Sequence, residues 1–402
     1  MILSASTGKG HMSVAKTVKD HLNSKDVSTT IVDALEYINP LLNKTISEGY
    51  EYLAKKSPSV YKVIYNTSNN KPITRLIRGI NSKISKKLLP LIEEYNPDML
   101  ITTHPFATAM ASKLKRTEKI DIPVICLMTD YAPHRTWINP QIDAYVVANE
   151  DMIPQMVEMG VNKDVIYPFG IPIDDSFYMK KDKNKILEEI GMNTDVPTIL
   201  IMAGSFGFGN VAEVYKKLQS IDIDFQIIII TGKNQKLYDA IENIVRNRKP
   251  KRNKVVLQLS KLKSESKKLI LRQRYQNKEE KVFPKKTHMI YFTNEVDKYM
   301  RVSDLIITKP GGLTITEALA CNLPMAIFDA IPGQEEENAE FLISNNMAVR
   351  LDMHKNGVET IKNLFGDTSK LETMKEFCEN FDKSDSLENI HKLFLKILKT
   401  KE

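Results

Sequence analysis

The sequence predicts an α/β protein built from two open parallel sheets with helices on their faces, and three observations carry that reading. Apolar runs of strand length alternate with amphipathic helical stretches along most of the chain. Glycine turns follow several of those runs: Thr7-Gly8-Lys9-Gly10-His11, Met202-Ala203-Gly204-Ser205-Phe206-Gly207 and Lys309-Pro310-Gly311-Gly312. Glycine and proline also punctuate Phe169-Gly170-Ile171-Pro172-Ile173-Asp174, marking a boundary between two halves. A chain of 402 residues exceeds one ordinary core and suits two domains.

In the first half, residues 2–5, 29–33, 99–102, 124–128 and 144–148 read as strands, the later ones apolar throughout and therefore buried on both faces. Residues 13–22 read as a helix with Val14, Val18 and Leu22 on one face. Between Pro40 and Tyr95 the text turns helical, basic and tyrosine-bearing (Tyr50, Tyr52, Tyr61, Tyr65). The second half restarts the rhythm with strands at 198–202, 225–230, 288–292, 305–308 and 325–328. A basic insert at about 246–288 interrupts it, and Leu387, Ile390, Phe394, Ile397 and Leu398 outline a closing amphipathic helix. The predicted division is 1–170, 171–375 and a closing segment 376–402.

An apolar content of 42% with 27% charged residues is that of a soluble protein. The longest apolar runs, such as 227–230, are too short to span a bilayer, and Met1-Ile2-Leu3-Ser4 lacks the basic start and apolar core of a signal peptide. Cys126, Cys321 and Cys378 form neither a disulfide framework nor a metal spacing, so the expected compartment is the cytoplasm. The net charge of +7 conceals a segregation. Residues 40–90 hold ten Lys/Arg against Glu48 and Glu51, and residues 246–288 hold sixteen against Glu265, Glu279 and Glu280, so the remainder is net acidic. Anionic lipid, nucleic acid and plain solvation all suit such segments. Nucleic acid fits least, because the insert offers only Tyr275 and Phe283 to stack on bases.

The stretch from Thr308 to Glu317 carries the most chemistry. Its Gly-Gly turn between a strand and a helix bares backbone N–H groups at a positive helix end, which suits a diphosphate. Thr314 and Glu317 sit three apart on one helical face, where a carboxylate can take both hydroxyls of a ribose. Three such turns across two α/β halves point to a nucleotide-sugar enzyme. The first turn is no Walker loop, since Lys9 precedes Gly10 and Leu3 stands five places before Gly8. A dinucleotide fingerprint fits poorly: Asp33 ends the next strand, but Ser13 occupies the third glycine place. His11, at the helix start, is expected to be neutral and able to accept a proton; the plainer alternative is a residue that caps the turn. His104, then Asp130 and His134, follow strand ends, where open sheets keep their ligands, although each also suits a structural turn. Asp222 and Asp224 precede a strand and read as a solvated loop. Gln334 and Glu335, after the 325–328 strand, suit recognition of sugar hydroxyls, with an acidic helix-capping turn as the alternative.

The motifs Gly8-Lys9-Gly10-His11, Thr103-His104-Pro105, Gly170-Ile171-Pro172, Ala203-Gly204-Ser205-Phe206-Gly207, Phe292-Thr293-Asn294-Glu295-Val296-Asp297, Lys309 to Ala318, and Pro332-Gly333-Gln334-Glu335 together resemble one family. It is the GT-B glycosyltransferase family of the monogalactosyldiacylglycerol synthases and processive diacylglycerol glucosyltransferases (glycosyltransferase family 28), with MurG as a more distant relative. The resemblance covers nearly the whole chain outside the 246–288 insert. It implies two Rossmann-like domains facing a central cleft, with a UDP-sugar held by the C-terminal half. Gly204, Ser205 and Gly207 would line the diphosphate, and the backbone near Val296 the uracil. Gly311, Gly312 and Thr314 would continue the cradle, with Glu317 on the ribose and Gln334 and Glu335 on the sugar. Gly8 and Gly10 would complete the donor side, His11 would be the base, and His104 and Asp130 would line the acceptor side. Asp174 stands where relatives often carry an arginine, with Lys309 as the compensating cation, and the first strand begins several residues earlier in relatives.

The resemblance implies no metal and no cofactor, UDP-glucose or UDP-galactose being a substrate. The acceptor would be diacylglycerol, met by a cytoplasmic enzyme lying peripherally on the anionic inner face of the cell membrane. Two readings compete with this one: a MurG-like transfer of N-acetylglucosamine to a polyprenyl-linked peptidoglycan precursor, and a non-enzymatic nucleotide-binding or membrane-docking protein.

Overall fold

The computed structural model describes residues 1–6, 9–40, 49, 52, 56–69, 84–117, 119–202, 211–246 and 285–400. The first half runs β1 (Ile2–Ser4), α1 (Lys9–Ser24), β2 (Ile31–Asp33), α2 (Ala34–Ile38), α3 (Pro58–Ser68), α4 (Leu89–Tyr95), β3 (Leu100–Thr102), α5 (Pro105–Arg116), β4 (Val124–Leu127), β5 (Ala144–Val146), α6 (Met152–Glu158) and β6 (Ile166–Tyr167). The second runs α7 (Lys183–Glu189), β7 (Thr198–Met202), α8 (Val211–Leu218), β8 (Gln226–Ile230), α9 (Gln235–Arg246), β9 (Thr287–Ile290), α10 (Val296–Arg301), β10 (Leu305–Thr308), α11 (Gly312–Ala320), β11 (Met325–Ile327), α12 (Gln334–Ser344), β12 (Ala348–Arg350), α13 (Gly357–Gly366), α14 (Thr368–Asn380) and α15 (Ser386–Lys399).

These strands form two six-stranded sheets, ordered β2-β1-β3-β4-β5-β6 and β12-β11-β10-β7-β8-β9. Neighbours pair in parallel, as in Ile2↔Ile101 of β1 and β3 and Leu305↔Ile199 of β10 and β7. Parallel pairing with helical crossovers explains why the strands read as unbroken apolar runs: β4, β8 and β10 are buried along their whole length. In each sheet the strand order reverses once, between β1 and β3 and between β7 and β10. Loops leaving the carboxyl ends of strands at such reversals are where open sheets bind ligands.

All the strands expected from sequence appear, those at 198–202 and 305–308 with the expected bounds and the others shifted or trimmed by a residue or two. The edge strands β6 and β12 went unpredicted, because two or three residues carry too little periodicity. Helices α1 and α11 start earlier than their apolar patterns suggest, because residues 10–12 and 312–314 at their starts are only partly buried. Val14, Val18 and Leu22 do form the buried face of α1.

The chain divides into two compact units: Met1–Lys181 with Thr308–Arg350 and Thr373–Glu402, and Asp182–Ile307 with Leu351–Glu372. In the first, α1 and α5 cover β1 and β3 with Val14, Val18, Met110 and Leu114. In the second, Val214, Tyr215 and Leu218 of α8 and Ile241 of α9 pack beside the isoleucines of β8. Residues 41–48, 50–51, 53–55 and 70–83 of the 40–95 segment and residues 247–284 of the basic insert lie outside the described residues.

Candidate active site

The first unit gathers the candidate residues from the loops that leave β1, β3, β4, β10 and β11. His11 sits in the first turn of α1 and is half-buried. Its Nδ1 lies 2.9 Å from the Thr103 carbonyl oxygen and 2.9 Å from Thr129 Oγ1. A carbonyl only accepts, so Nδ1 carries the proton and the lone pair falls on Nε2. Burial drives the His11 pKa down to about 4, against a smaller opposing effect of the Thr103 carbonyl. The ring is therefore neutral at pH 7, as the sequence suggested, with desolvation the chief cause. Thr103 is itself fixed, its hydroxyl donating to Ser4 Oγ at 2.8 Å or to the His11 carbonyl at 3.1 Å.

His104 packs edge-on against His11 with ring centroids 4.6 Å apart. It caps α5, its Nδ1 accepting the Phe106 N–H at 3.1 Å, which places the proton on Nε2. Burial pushes its pKa well below the ordinary histidine value. The two rings thus hold opposite tautomers.

Behind them, the turn after β4 is tied to the starts of α11 and α12. Asp130 accepts from Trp137 Nε1 at 2.9 Å and from Gln334 Nε2. Burial raises the Asp130 carboxyl to about 6, while those hydrogen bonds pull the other way. Asn338 Oδ1 accepts the Tyr131 N–H at 2.9 Å, and its Nδ2 donates to the Pro310 carbonyl at 3.0 Å. Thr316 donates to the Gly312 carbonyl at 2.7 Å and meets the Tyr131 hydroxyl at 2.9 Å. A Cβ on Gly312 would strike the Thr129 carbonyl oxygen, whereas one on Gly311 would meet nothing within 4 Å. Gly312 is therefore needed for close approach of two backbones, and open space lies at Gly311, the N-cap of α11.

The other candidates fall as follows. Gly10 adjoins Leu313, whose Cβ lies 3.8 Å from a Cβ built on the glycine. Thr314 and Glu317 share the part-exposed side of α11, while Ile315, Thr316, Ala318 and Leu319 are buried. Lys309 pairs with Asp329 at 3.1 Å. Glu335 accepts the Ile331 N–H at 2.8 Å, so its carboxylate closes its own turn, and burial raises its pKa. His134 accepts from Thr136 N at 3.2 Å and donates to the Tyr65 carbonyl at 3.2 Å, a structural role. Asp174 caps a short turn through Ser176 N at 2.9 Å. Asp33, the acid of the dinucleotide fingerprint, accepts from Ser6 N, Leu35 N and Glu36 N and is spent on those caps. Val296 opens α10 in the second unit. Gly8, Gly204, Ser205 and Gly207 lie outside the described residues.

Sequence reading passed over Thr103, Thr129, Trp137, Asn338, Tyr65 and Glu337. The first two follow strand ends and were findable on that ground; Trp137 reaches Asp130 seven residues away, and the other three act across longer separations that leave no local signal.

Of the tyrosines in the 40–95 segment, two are engaged by the fold: Tyr61 is buried, and Tyr65 donates to Glu337 Oε2 at 2.7 Å. Tyr52 is exposed. Among the described residues no helix is long and apolar enough to cross a membrane.

Solved structures share this architecture. MurG of Acinetobacter baumannii is 14% identical, with 98% of this chain and 99% of that one covered at a TM-score of 0.57. The UDP-GlcNAc 2-epimerase of Neisseria meningitidis, solved with UDP-GlcNAc, is 14% identical over 98% and 99% of the two chains at 0.58. The fold is thus GT-B, with two Rossmann-like sheets. The monogalactosyldiacylglycerol synthase family model matches residues 11–173, and that of the glycosyltransferase family 28 C-terminal domain matches residues 239–394. The processive diacylglycerol beta-glucosyltransferase of Bacillus pumilus is 32% identical over 382 residues, spanning 94% of this chain and 89% of the relative. The chain belongs to this glycosyltransferase family, that of the monogalactosyldiacylglycerol synthases and processive diacylglycerol glucosyltransferases.

Proposed function

We propose that the chain transfers a hexose from a UDP-sugar to diacylglycerol with inversion, making a β-linked glycolipid at a membrane surface, and that His11 is the base. The observation that carries this is the tautomer lock: Thr103 and Thr129 hold the proton on Nδ1 and leave Nε2 to receive one. Nε2 takes the proton of the acceptor hydroxyl as that oxygen attacks the anomeric carbon. The bond from that carbon to the UDP oxygen breaks with its electron pair, and UDP carries the charge away. The start of α11, open at Gly311, is suited to receive that diphosphate with backbone N–H groups and helix dipole. Glu317 takes the ribose and Gln334 the sugar, and no metal is needed.

The acceptor is a membrane lipid, so the enzyme must work at a bilayer. Lys56 and Lys62 beside α3 are exposed, within the 40–90 segment that carries ten basic residues against two acidic ones. Each basic side chain near an anionic leaflet contributes about 1 kcal/mol. This favours peripheral binding to the anionic inner face of the cell membrane.

The test is incubation with labelled UDP-glucose, UDP-galactose or UDP-N-acetylglucosamine and diacylglycerol vesicles with and without anionic lipid, followed by separation of the lipids. Labelled hexosyl-diacylglycerol is the expected product, faster on anionic vesicles. Label reaching only a polyprenyl diphosphate acceptor, or no lipid at all, refutes the reading.

A further inference from the structure

Helix α3 presents two different faces. Val60, Val63 and Ile64 form a stripe at helical spacing on one side and are 50–63% exposed; Lys62, elsewhere on the same helix, and Lys56, just before it, are exposed as well. Tyr61 and Tyr65 point the other way, Tyr61 into the core. The Tyr65 hydroxyl donates to Glu337 Oε2 at 2.7 Å, in the first turn of α12. Its ring fills the space beside Gly333, where a built Cβ would lie 2.8 Å from Tyr65 Cγ. Gly333 has φ of 104°, a conformation that glycine alone adopts easily, and it is the N-cap immediately before Gln334. The C-terminal end of α3 is fixed in turn to the loop after β4: the Tyr65 carbonyl accepts from His134 Nε2, the two rings meet at a tilt with centroids 4.4 Å apart, and Asn69 Oδ1 accepts the Arg135 N–H at 3.0 Å.

An exposed apolar stripe on a segment with ten basic residues against two acidic ones is complementary to an anionic bilayer surface, where aliphatic side chains enter the acyl boundary and ammonium groups meet the phosphates. The reverse face of the same helix holds the turn that carries Gln334. We propose that Tyr65 and Glu337 are a positioning pair through which the seating of α3 on the bilayer sets the Gly333–Gln334 turn, so that hexose transfer is fast only on a membrane. This inference rests on the proposed function and assigns two residues that no part of the transfer chemistry requires. Such coupling needs an element that both sites bias, and the proposal assigns that part to α3, whose inner face is bonded to the turn through Tyr65.

The experiment compares turnover on diacylglycerol in phosphatidylglycerol vesicles with turnover on a short-chain diacylglycerol dispersed without vesicles, alongside co-sedimentation with the same vesicles. Tyr65→Phe and Glu337→Ala are each expected to lower the vesicle-to-dispersed ratio roughly tenfold while still sedimenting with vesicles. Glu337→Gln keeps an acceptor for the tyrosine hydroxyl and is expected to preserve the ratio. The double variant Tyr65→Phe/Glu337→Ala falls no further than either single one, as for partners in one contact. Val63→Asp with Ile64→Asp is expected to lose sedimentation. Equal loss on both acceptors, an unmoved ratio in Tyr65→Phe, or undiminished sedimentation of the aspartate variant overturns the coupling. A wild-type chain that transfers to neither acceptor overturns the proposed function as well, whereas one that turns over both acceptors equally fast overturns only this inference.

Discussion

The two strands that flank the reversal in the first sheet each lead to a histidine, and the two histidines end up in opposite chemical states. After β1, His11 gives its Nδ1 proton to the Thr103 carbonyl and keeps a lone pair on Nε2. After β3, His104 spends its Nδ1 lone pair on the Phe106 N–H and keeps a proton on Nε2. Both are neutral for the same reason, burial, so charge does not distinguish them. The partner of one nitrogen does. A histidine bonded to a carbonyl is left a base, and one that caps a helix is left a donor.

Exchanging each ring tests that contrast most severely. His11→Ala is expected to lower kcat by roughly 10²–10⁴-fold with the folded structure retained, as for loss of a general base. His104→Ala is expected instead to lower stability by about 1 kcal/mol, the usual value of an N-cap, and to keep kcat within roughly tenfold of wild type. Steady-state kinetics and thermal melts on the same preparations check both, and the reverse pattern would exchange the two roles.

A second contrast lies in Gly311 and Gly312. Gly312→Ala is expected to cost about 1–3 kcal/mol, because the added methyl drives apart the backbones of α11 and the turn after β4. Gly311→Ala enters open space and is expected to change stability by less than about 0.5 kcal/mol while weakening UDP binding. Calorimetry of UDP binding beside melting curves separates the two.

The pH response is subtler. Catalysis needs His11 unprotonated, so kcat/KM is expected to stay level through pH 6 and to fall only toward pH 4, where His11 takes its proton. Because the fold depresses that pKa from 6.5, its contribution to stability is present above pH 6.5 and is lost as the pH falls toward 4. Asp130 has the opposite sign: raised from 3.8 to about 6, it contributes below 3.8 and loses that contribution as the pH rises through 6. His11→Asn is therefore expected to flatten the stability profile between pH 6.5 and 4, and Asp130→Asn to steepen it. The smallest expected effect is none at all: a chelator should leave turnover unchanged, since the proposed diphosphate site relies on backbone N–H groups.

Much of this was legible beforehand because parallel strands and their crossover helices leave local marks. The isoleucines of β8, the spacing of Val14, Val18 and Leu22, and the Gly311-Gly312 turn each state their structure within a few residues. Gln334 was expected to face a sugar, and the fold adds a contact of its amide with Asp130, a partner 204 residues away, which no local pattern signals. Glu335 closes its own turn through the Ile331 N–H, the local alternative that the acidic run at the start of α12 already offered.

The positions of ten of the strands along the chain, the glycine turns and the histidine at the start of α1 are properties of short windows, and the amino-acid sequence alone determined them. The tautomer of His11, the duty of Gly312 and the grip of Tyr65 on Glu337 depend on groups brought together by separate crossovers. The tertiary structure decided those, because hydrogen-bond partners and desolvation exist only once the chain has closed around them.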